Sequence, residues 1–196
     1  MSLILAISGP AAVGKTTVCD RLIAEFGDAL RRLVTATTRP PRKSEKNGED
    51  YYFFNLSEFN QKLSKNEFLE HEIIHGYKYG ILKKPILDAQ SKGINILINI
   101  DVNGAESLRN FCAQKKQLTG SLKTIFIKPS NLEDLKARMV NRASETESQV
   151  QTRLVNAKAE ILRQDEFDYI IESGDKEADY DKIRQIYVDL IGISLR

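Results

Sequence analysis

Residues Gly9-Pro10-Ala11-Ala12-Val13-Gly14-Lys15-Thr16 match G-x-x-x-x-G-K-[ST], the clearest chemical signal in the chain. Triphosphate oxygens are bound by main-chain N–H groups that converge on them, so the chain must curl tightly. Glycine supplies the dihedrals and lets backbone approach phosphate. A following helix adds unpaired N–H donors and the positive end of its dipole. Lys15 then reaches the β- and γ-phosphates, and the Thr16 hydroxyl ligates Mg²⁺. Without a ligand the Lys15 ammonium is expected to face solvent. The apolar run Leu3 to Ile7 precedes the loop and a helix-compatible stretch comes after it, the context that separates a phosphate loop from a chance glycine turn. The loop implies a nucleoside triphosphate with Mg²⁺ and leaves the fate of the phosphoryl group open.

A second constellation concerns a second anion. In Thr35-Ala36-Thr37-Thr38-Arg39-Pro40-Pro41-Arg42, two arginines stand three residues apart on a stretch stiffened by two prolines. Planar guanidinium forks suit a phosphate monoester. Tyr51 and Tyr79 offer hydroxyl donors to the same anion. Taken alone, such a loop is equally a solvated basic surface.

The loop is followed in order by Gly48-Glu49-Asp50-Tyr51-Tyr52-Phe53, Phe68-Leu69-Glu70, Gly76-Tyr77-Lys78-Tyr79-Gly80, Ile100-Asp101-x-x-Gly104, Arg138-x-x-x-Arg142 and Arg153. With the phosphate loop in front, this order resembles the guanylate kinase family, which transfers phosphate from ATP to GMP, over about Leu3 to Asp175. The resemblance implies an ATP-binding segment of Gly9, Pro10, Ala11, Ala12, Val13, Gly14, Lys15, Thr16 and Thr17, with Mg²⁺ on Thr16. It implies Arg39, Arg42, Tyr51 and Tyr79 as ligands of the GMP phosphate, Thr35 as a hydroxyl contact to guanine, and Glu70 and Asp101 as guanine readers. Lys15, Arg39, Arg138, Arg142 and Arg153 are the implied catalytic cations, the last three from a lid. The chemistry agrees: guanine presents N1–H and its N2 amino group as neighbouring donors, and an ionised carboxylate accepts both. Read without the resemblance, Glu70 is an exposed strand carboxylate and Asp101 a helix cap.

Four positions depart from the family pattern. Ile81 stands where a Ser or Thr hydroxyl donates to guanine O6, Asn99 replaces the first of two aspartates, Ser173 replaces an Asn, and Ala143 a glycine. Ile81 and Asn99 motivate one alternative, a related kinase with a different phosphorylated acceptor. A second alternative is a non-catalytic guanylate kinase-like protein-binding module, against which the intact phosphate loop speaks. A regulatory GTPase is disfavoured because no Asn-Lys-x-Asp motif occurs.

The elements that must position these residues alternate. Leu3–Ile7, Ile94–Ile100, Lys123–Ile127 and Tyr169–Ile171 read as strands buried on both faces. Helices are expected over Lys15–Phe26, Lys84–Lys92 (Pro85 first, Gly93 just beyond), Ser130 to about Asn141 with a Ser130/Glu133 capping box, the Val150-Leu154-Ala157-Ile161 stripe, and Asp179–Ile191. The implied fold is α/β: a P-loop NTPase-type parallel sheet flanked by helices, with a small β-rich acceptor-binding insertion and a helical lid. As one domain over 1–196, the core takes about 1–35, 81–137 and 155–196, the insertion about 36–80 and the lid about 138–154. In the insertion, Tyr51–Phe54 and Phe68–Ile74 read as strands, with Ser57 capping a helix between them. Residues 142–149 read as a polar, flexible tip, and His71 and His75 as structural.

The 196 residues carry 41% hydrophobic and 29% charged side chains, which excludes wholesale disorder. Lys plus Arg number 29 and Asp plus Glu 27, a net +2 without a polybasic footprint, so no nucleic-acid partner is expected. No apolar run approaches the roughly 20 residues of a membrane span. Two cysteines and two histidines, without metal-ligand spacing, argue against a zinc site and for a cytoplasmic protein. ATP and GMP are the expected partners, and a monomer or homodimer the expected state.

Overall fold

The computed structural model describes residues 2–74, 76–140 and 147–192. Its central sheet runs β2-β7-β1-β8-β9 (Leu30–Arg32, Asn95–Asn99, Ile4–Ser8, Leu122–Pro129, Tyr169–Ser173), and every pairing is parallel. β1 lies at the centre and all five of its residues are buried. Side-chain alternation sends Leu5 and Ile7 to one face and Ile4 and Ala6 to the other. On the first face they meet Val18 and Leu22 of α1 (Lys15–Phe26), Leu135 and Met139 of α5 (Leu132–Val140), Val150 and Ala157 of α6 (Glu147–Ile161), and Ile183 and Tyr187 of α7 (Lys176–Ile191). On the second they meet Ile86 of α3 (Lys83–Ser91) and Leu108 of α4 (Val102–Ala113). Parallel strands need such crossover helices on both faces, which is why these strands carry near-continuous apolar runs.

A second, mixed sheet has the order β4-β3-β6-β5 (Tyr51–Phe53, Thr35–Thr37, Tyr77–Leu82, Phe68–Ile74). β3 pairs parallel with β4 and antiparallel with β6. α2 (Leu56–Ser64) packs Phe59 beneath this sheet against Phe68, ring centroids 4.3 Å apart, beside Ala36 and Leu82.

Several local expectations shift. The cap of α2 is Asn55, not Ser57: Asn55 Oδ1 accepts the Glu58 N–H while the Glu58 carboxylate accepts the Asn55 N–H, a reciprocal capping box. Asn131 rather than Ser130 precedes α5, and its Oδ1 accepts the Asp134 N–H at 2.7 Å. An amide oxygen there takes the place of the hydroxyl expected one residue earlier. Pro85 occupies the third helical position of α3, where a missing N–H is still harmless. Gly93 takes φ 68° just past that helix, as its type requires. α7 begins a turn early, at Lys176, because Asp175 caps it through the Glu177 and Ala178 N–H groups. Residues 147–149 are the first turn of α6; the rest of the expected polar tip, 142–146, lies outside the described residues. Strand β6 and helix α4 have no counterpart among the expected elements.

Candidate active site

The loop after β1 is shaped by two glycines and one alanine in unusual backbone regions. Gly9 has φ 137°, and a Cβ there would stand 2.3 Å from the Ile127 carbonyl oxygen on β8. Gly14 has φ 117° and opens α1 as its N-cap, with open space where a side chain would be. Ala12 takes φ 66°, a left-handed conformation a non-glycine residue adopts at a cost. Lys15 does not face solvent as expected. Its Nζ donates to the Gly9 carbonyl and, at 2.9 Å, to the Pro10 carbonyl. The ammonium thus folds back over the loop onto two of its carbonyls, one of which, that of Pro10, also accepts the Val13 N–H.

Thr16 is exposed in the first turn of α1. The Asn99 side-chain amide, at the end of β7, donates to its hydroxyl at 3.3 Å. Because β1 and β7 are adjacent, with Ile7 opposite Asn99, the loop and this strand end meet at one seam of the sheet. Beside the loop, a cavity of about 390 Å³ is lined by Ala12, Val13, Gly14, Thr17, Arg138 and Asp179, among others. Arg153 is half-buried on α6. Arg142 and Ala143 lie outside the described residues, as does His75. Ser173 is buried and donates to Asp179 at 2.8 Å, so that departure is absorbed by the start of α7.

On the other side of the Asn99 seam, a cavity of about 520 Å³ lies between the two sheets. Thr35, Tyr51, Glu70, Tyr79 and Asp101 all line it, together with Glu72, Ile81 and exposed His71. Arg39 stands at its aromatic wall, with the guanidinium carbon 5.6 Å from the Tyr51 ring centroid. Arg42 is exposed on the same loop. Tyr51 and Tyr79 contact edge to face at 6.2 Å. Thr35 lies one step beyond the Ala36–Gly80 pair and so comes opposite Ile81 across the β3–β6 ladder.

Asp101 is the N-cap of α4 and accepts the Gly104 N–H at 2.7 Å, as the cap reading expects, and the same residue lines the cavity. Glu70 packs onto the same helix start: a Cβ on Gly104 would fall 2.4 Å from each of its carboxylate oxygens. Burial, then Asp101 and Glu72, push the Glu70 carboxyl up to about 7. Burial and Asp101 also raise Glu72.

Sequence reasoning missed two acidic residues. Glu45 pairs with Arg39 at 2.8 Å. Glu160 on α6 has one carboxylate oxygen buried without a hydrogen-bond partner among the described residues. Burial raises the Glu160 carboxyl, Lys15 opposes the rise and Asp101 adds to it. The Arg163 guanidinium, just past α6, bonds Asn103 and Glu106 of α4 at 2.8 Å each, which places this end of α6 against the helix start that carries Asp101. In the linear sequence each of these glutamates is one charge among many; only packing sets them apart. Among the described residues no cluster of three His, Cys, Asp or Glu side chains forms a metal cage. Cys19 and Cys112 are buried and free, and burial pushes their thiols up to about 12 and about 11, so neither serves as a nucleophile.

The parallel sheet, the loop at its central strand and the flanking helices define a P-loop nucleotide-binding fold. A family model described as guanylate kinase matches residues 1–189. The chain is 37% identical over 189 residues to a guanylate kinase of Rickettsia bellii, covering 96% of the chain and 93% of that protein. It is 35% identical over 184 residues to one of Hyphomonas neptunium, covering 94% and 82%. The crystal structure of guanylate kinase from Anaplasma phagocytophilum superposes with TM-score 0.67 at 30% identity, over 95% of this chain and 84% of that one. Shikimate kinase from Bacteroides thetaiotaomicron, at 13% identity and TM-score 0.52 over 97% and 99% of the chains, shares the fold. The chain belongs to the guanylate kinase family, transferases that phosphorylate GMP with ATP. These matches favour neither a different phosphorylated acceptor nor a non-catalytic binding module. No helix among the described residues is long and apolar enough to cross a membrane.

Proposed function

We propose that the chain phosphorylates GMP, and dGMP through the same contacts, with the triphosphate on the loop after β1 and the acceptor in the cavity between the sheets. The observation that carries the reading is the convergence of Thr35, Tyr51, Glu70, Tyr79 and Asp101 on one cavity that meets the phosphate-loop seam at Asn99. Residues 36–80 then form the acceptor-binding insertion and 138–154 the lid.

In this reading the main-chain N–H groups of residues 9–17 cup the ATP phosphates. Lys15 leaves the loop carbonyls to follow the γ-phosphoryl group. Arg39, Arg42, Tyr51 and Tyr79 hold the GMP phosphate, whose oxygen is already ionised, so no general base is required. Glu70 accepts from guanine N1–H and N2, Asp101 offers its uncapped oxygen to N2, and Thr35 contacts the base. Transfer has a loose transition state with charge on the equatorial oxygens, so positioning and positive charge carry the catalysis. Arg138, Arg142 and Arg153 add that charge as the lid closes, which also excludes water.

Mg²⁺ would enter on ATP, which fits a site where the described residues form no protein cage, and Thr16 would be its protein ligand, with Asn99 beside it. Bound there, it would neutralise phosphate charge. The two free, buried thiols support a reducing, cytoplasmic setting. Supplying GMP, dGMP, AMP, CMP, UMP and IMP separately with MgATP tests the reading. ADP formation above the no-acceptor rate is expected with GMP and dGMP. GMP turnover no faster than that background would reject it.

A further inference from the structure

Arg39 and Glu45 form a sheltered pair in an otherwise exposed loop. Arg39 Nη2 donates to Glu45 Oε1 at 2.8 Å, and the two side chains are only 15% and 14% exposed. For comparison, Lys46–Glu49, a few residues on, is about 70% exposed on both sides, the kind of pair that contributes little. The other oxygen, Glu45 Oε2, accepts the Arg42 N–H at 2.7 Å. One carboxylate therefore ties the side chain of the first arginine to the backbone of the second and closes residues 39–45 into a ring. The Arg39 fork is fixed on further sides: Nη1 donates to the Pro40 carbonyl at 2.7 Å, and the Tyr51 and Phe53 rings lie 5.6 and 5.8 Å from the guanidinium carbon. A guanidinium has five N–H donors, so the bonds to Glu45 and Pro40 leave donors over for a second acceptor.

A carboxylate beside a phosphate ligand repels the phosphate. What offsets that repulsion is geometry: a fork frozen before binding loses less entropy when the anion arrives. We infer that Glu45 is a positioning residue for the acceptor's phosphate monoester, holding the Arg39 fork and the Arg42 backbone in the arrangement that phosphate requires. The inference rests on the reading of Arg39 and Arg42 as acceptor-phosphate ligands.

The test measures dissociation constants for GMP and for guanosine on the full chain and on Glu45→Ala, Glu45→Gln and Arg39→Ala. The ratio of guanosine to GMP constants isolates what the phosphate contributes. Glu45→Ala is expected to reduce that ratio about tenfold, the worth of one charge-assisted hydrogen bond, while guanosine binding stays put. Glu45→Gln keeps an acceptor for Arg39 but loses charge, and is expected to fall between; it carries the comparison if Glu45→Ala fails to fold. Tighter GMP binding by the Glu45 variants would show that the carboxylate only competes with phosphate, and would overturn the inference. So would a parallel weakening of GMP and guanosine, which marks a general loss of structure. A ratio that drops in Arg39→Ala but not in the Glu45 variants overturns this inference alone; one unchanged in Arg39→Ala overturns the reading of the phosphate ligands as well.

Discussion

A methyl group added to Gly104 would fall 2.4 Å from both carboxylate oxygens of Glu70. The glycine is needed not for an unusual dihedral but for space, since it sits in the first turn of α4 with Ile100 Cγ1 equally close. Gly104→Ala is therefore expected to displace Glu70 while helix and cap survive. The KM for GMP should rise roughly 10- to 100-fold, the scale of an ångström-sized misplacement, with the KM for ATP within about twofold. Equal effects on both substrates would argue against a base-reading role for Glu70.

Burial pushes the Glu70 carboxyl up to about 7, and only its ionised form accepts both guanine donors. The KM for GMP should be level above about pH 7.5 and rise toward tenfold per pH unit below 7, the slope of one proton. The GMP phosphate also titrates near pH 6, but it does so equally for a Glu70→Gln variant, so the ratio of the two enzymes isolates Glu70. A pH-independent ratio would contradict the assignment.

The same shift makes Glu70 a cost to the fold. Its folded pKa lies above the unfolded value, so between about 4.5 and 7 the native state binds more protons, and stability falls as pH rises through that window. Glu70→Gln should raise the Tm at pH 7.5, and the gain should vanish below about pH 4.5. Thermal unfolding at the two pH values measures it; a lowered Tm at pH 7.5 would mean the carboxylate has a stabilising partner.

Gly9 and Gly14 should respond differently to alanine. At Gly9 the new Cβ meets the Ile127 carbonyl at 2.3 Å on a backbone at φ 137°; at Gly14 it meets open space and only the dihedral is strained. Gly14→Ala should lose about 1–3 kcal/mol, and Gly9→Ala distinctly more, because β1 and β8 must part. Denaturant unfolding compares them, and equal losses would show that the dihedral alone matters.

Lys15→Ala removes two bonds to loop carbonyls as well as a cation. The fold should persist by circular dichroism, because β1 and α1 are held by buried Leu5, Ile7, Val18 and Leu22. The kcat should drop by about 10²–10³, as for loss of one preorganised donor to a transition state. Undiminished turnover would remove Lys15 from the mechanism.

Much of this architecture is written in residue patterns. The apolar runs around Leu5, Leu97 and Ile125 announce strands buried on two faces, and the glycine–lysine motif marks the phosphate loop at the end of the first strand. Helix α4 escaped because its opening residues, Asn103 and Gly104, are poor helix formers. The stripe Ala105, Leu108 and Cys112 was nonetheless present, and Asp101 caps it. Asn55 and Asn131 show the limit for helix starts: several neighbouring residues can cap, and the one that does depends on where the chain turns. Arg39 could be nominated from its type and Glu70 from the family resemblance, but not the fold-back of Lys15, nor the shelter of Glu45 and Glu160. Those depend on carbonyls and helices that only the assembled chain brings near.

The phosphate loop leaves β1, and Asn99 and Asp101 leave β7, two neighbouring strands of one parallel ladder with Ile7 facing Asn99. Neighbouring strands stand about 4.8 Å apart in every such ladder. The backbone roots of the phosphate loop and of the segment carrying Asp101 are thereby gauged by peptide hydrogen bonding itself, a ruler that side-chain replacement hardly stretches. Under the proposed function, the span that a phosphoryl group must cross is then built into the pleat rather than into the outlying pieces.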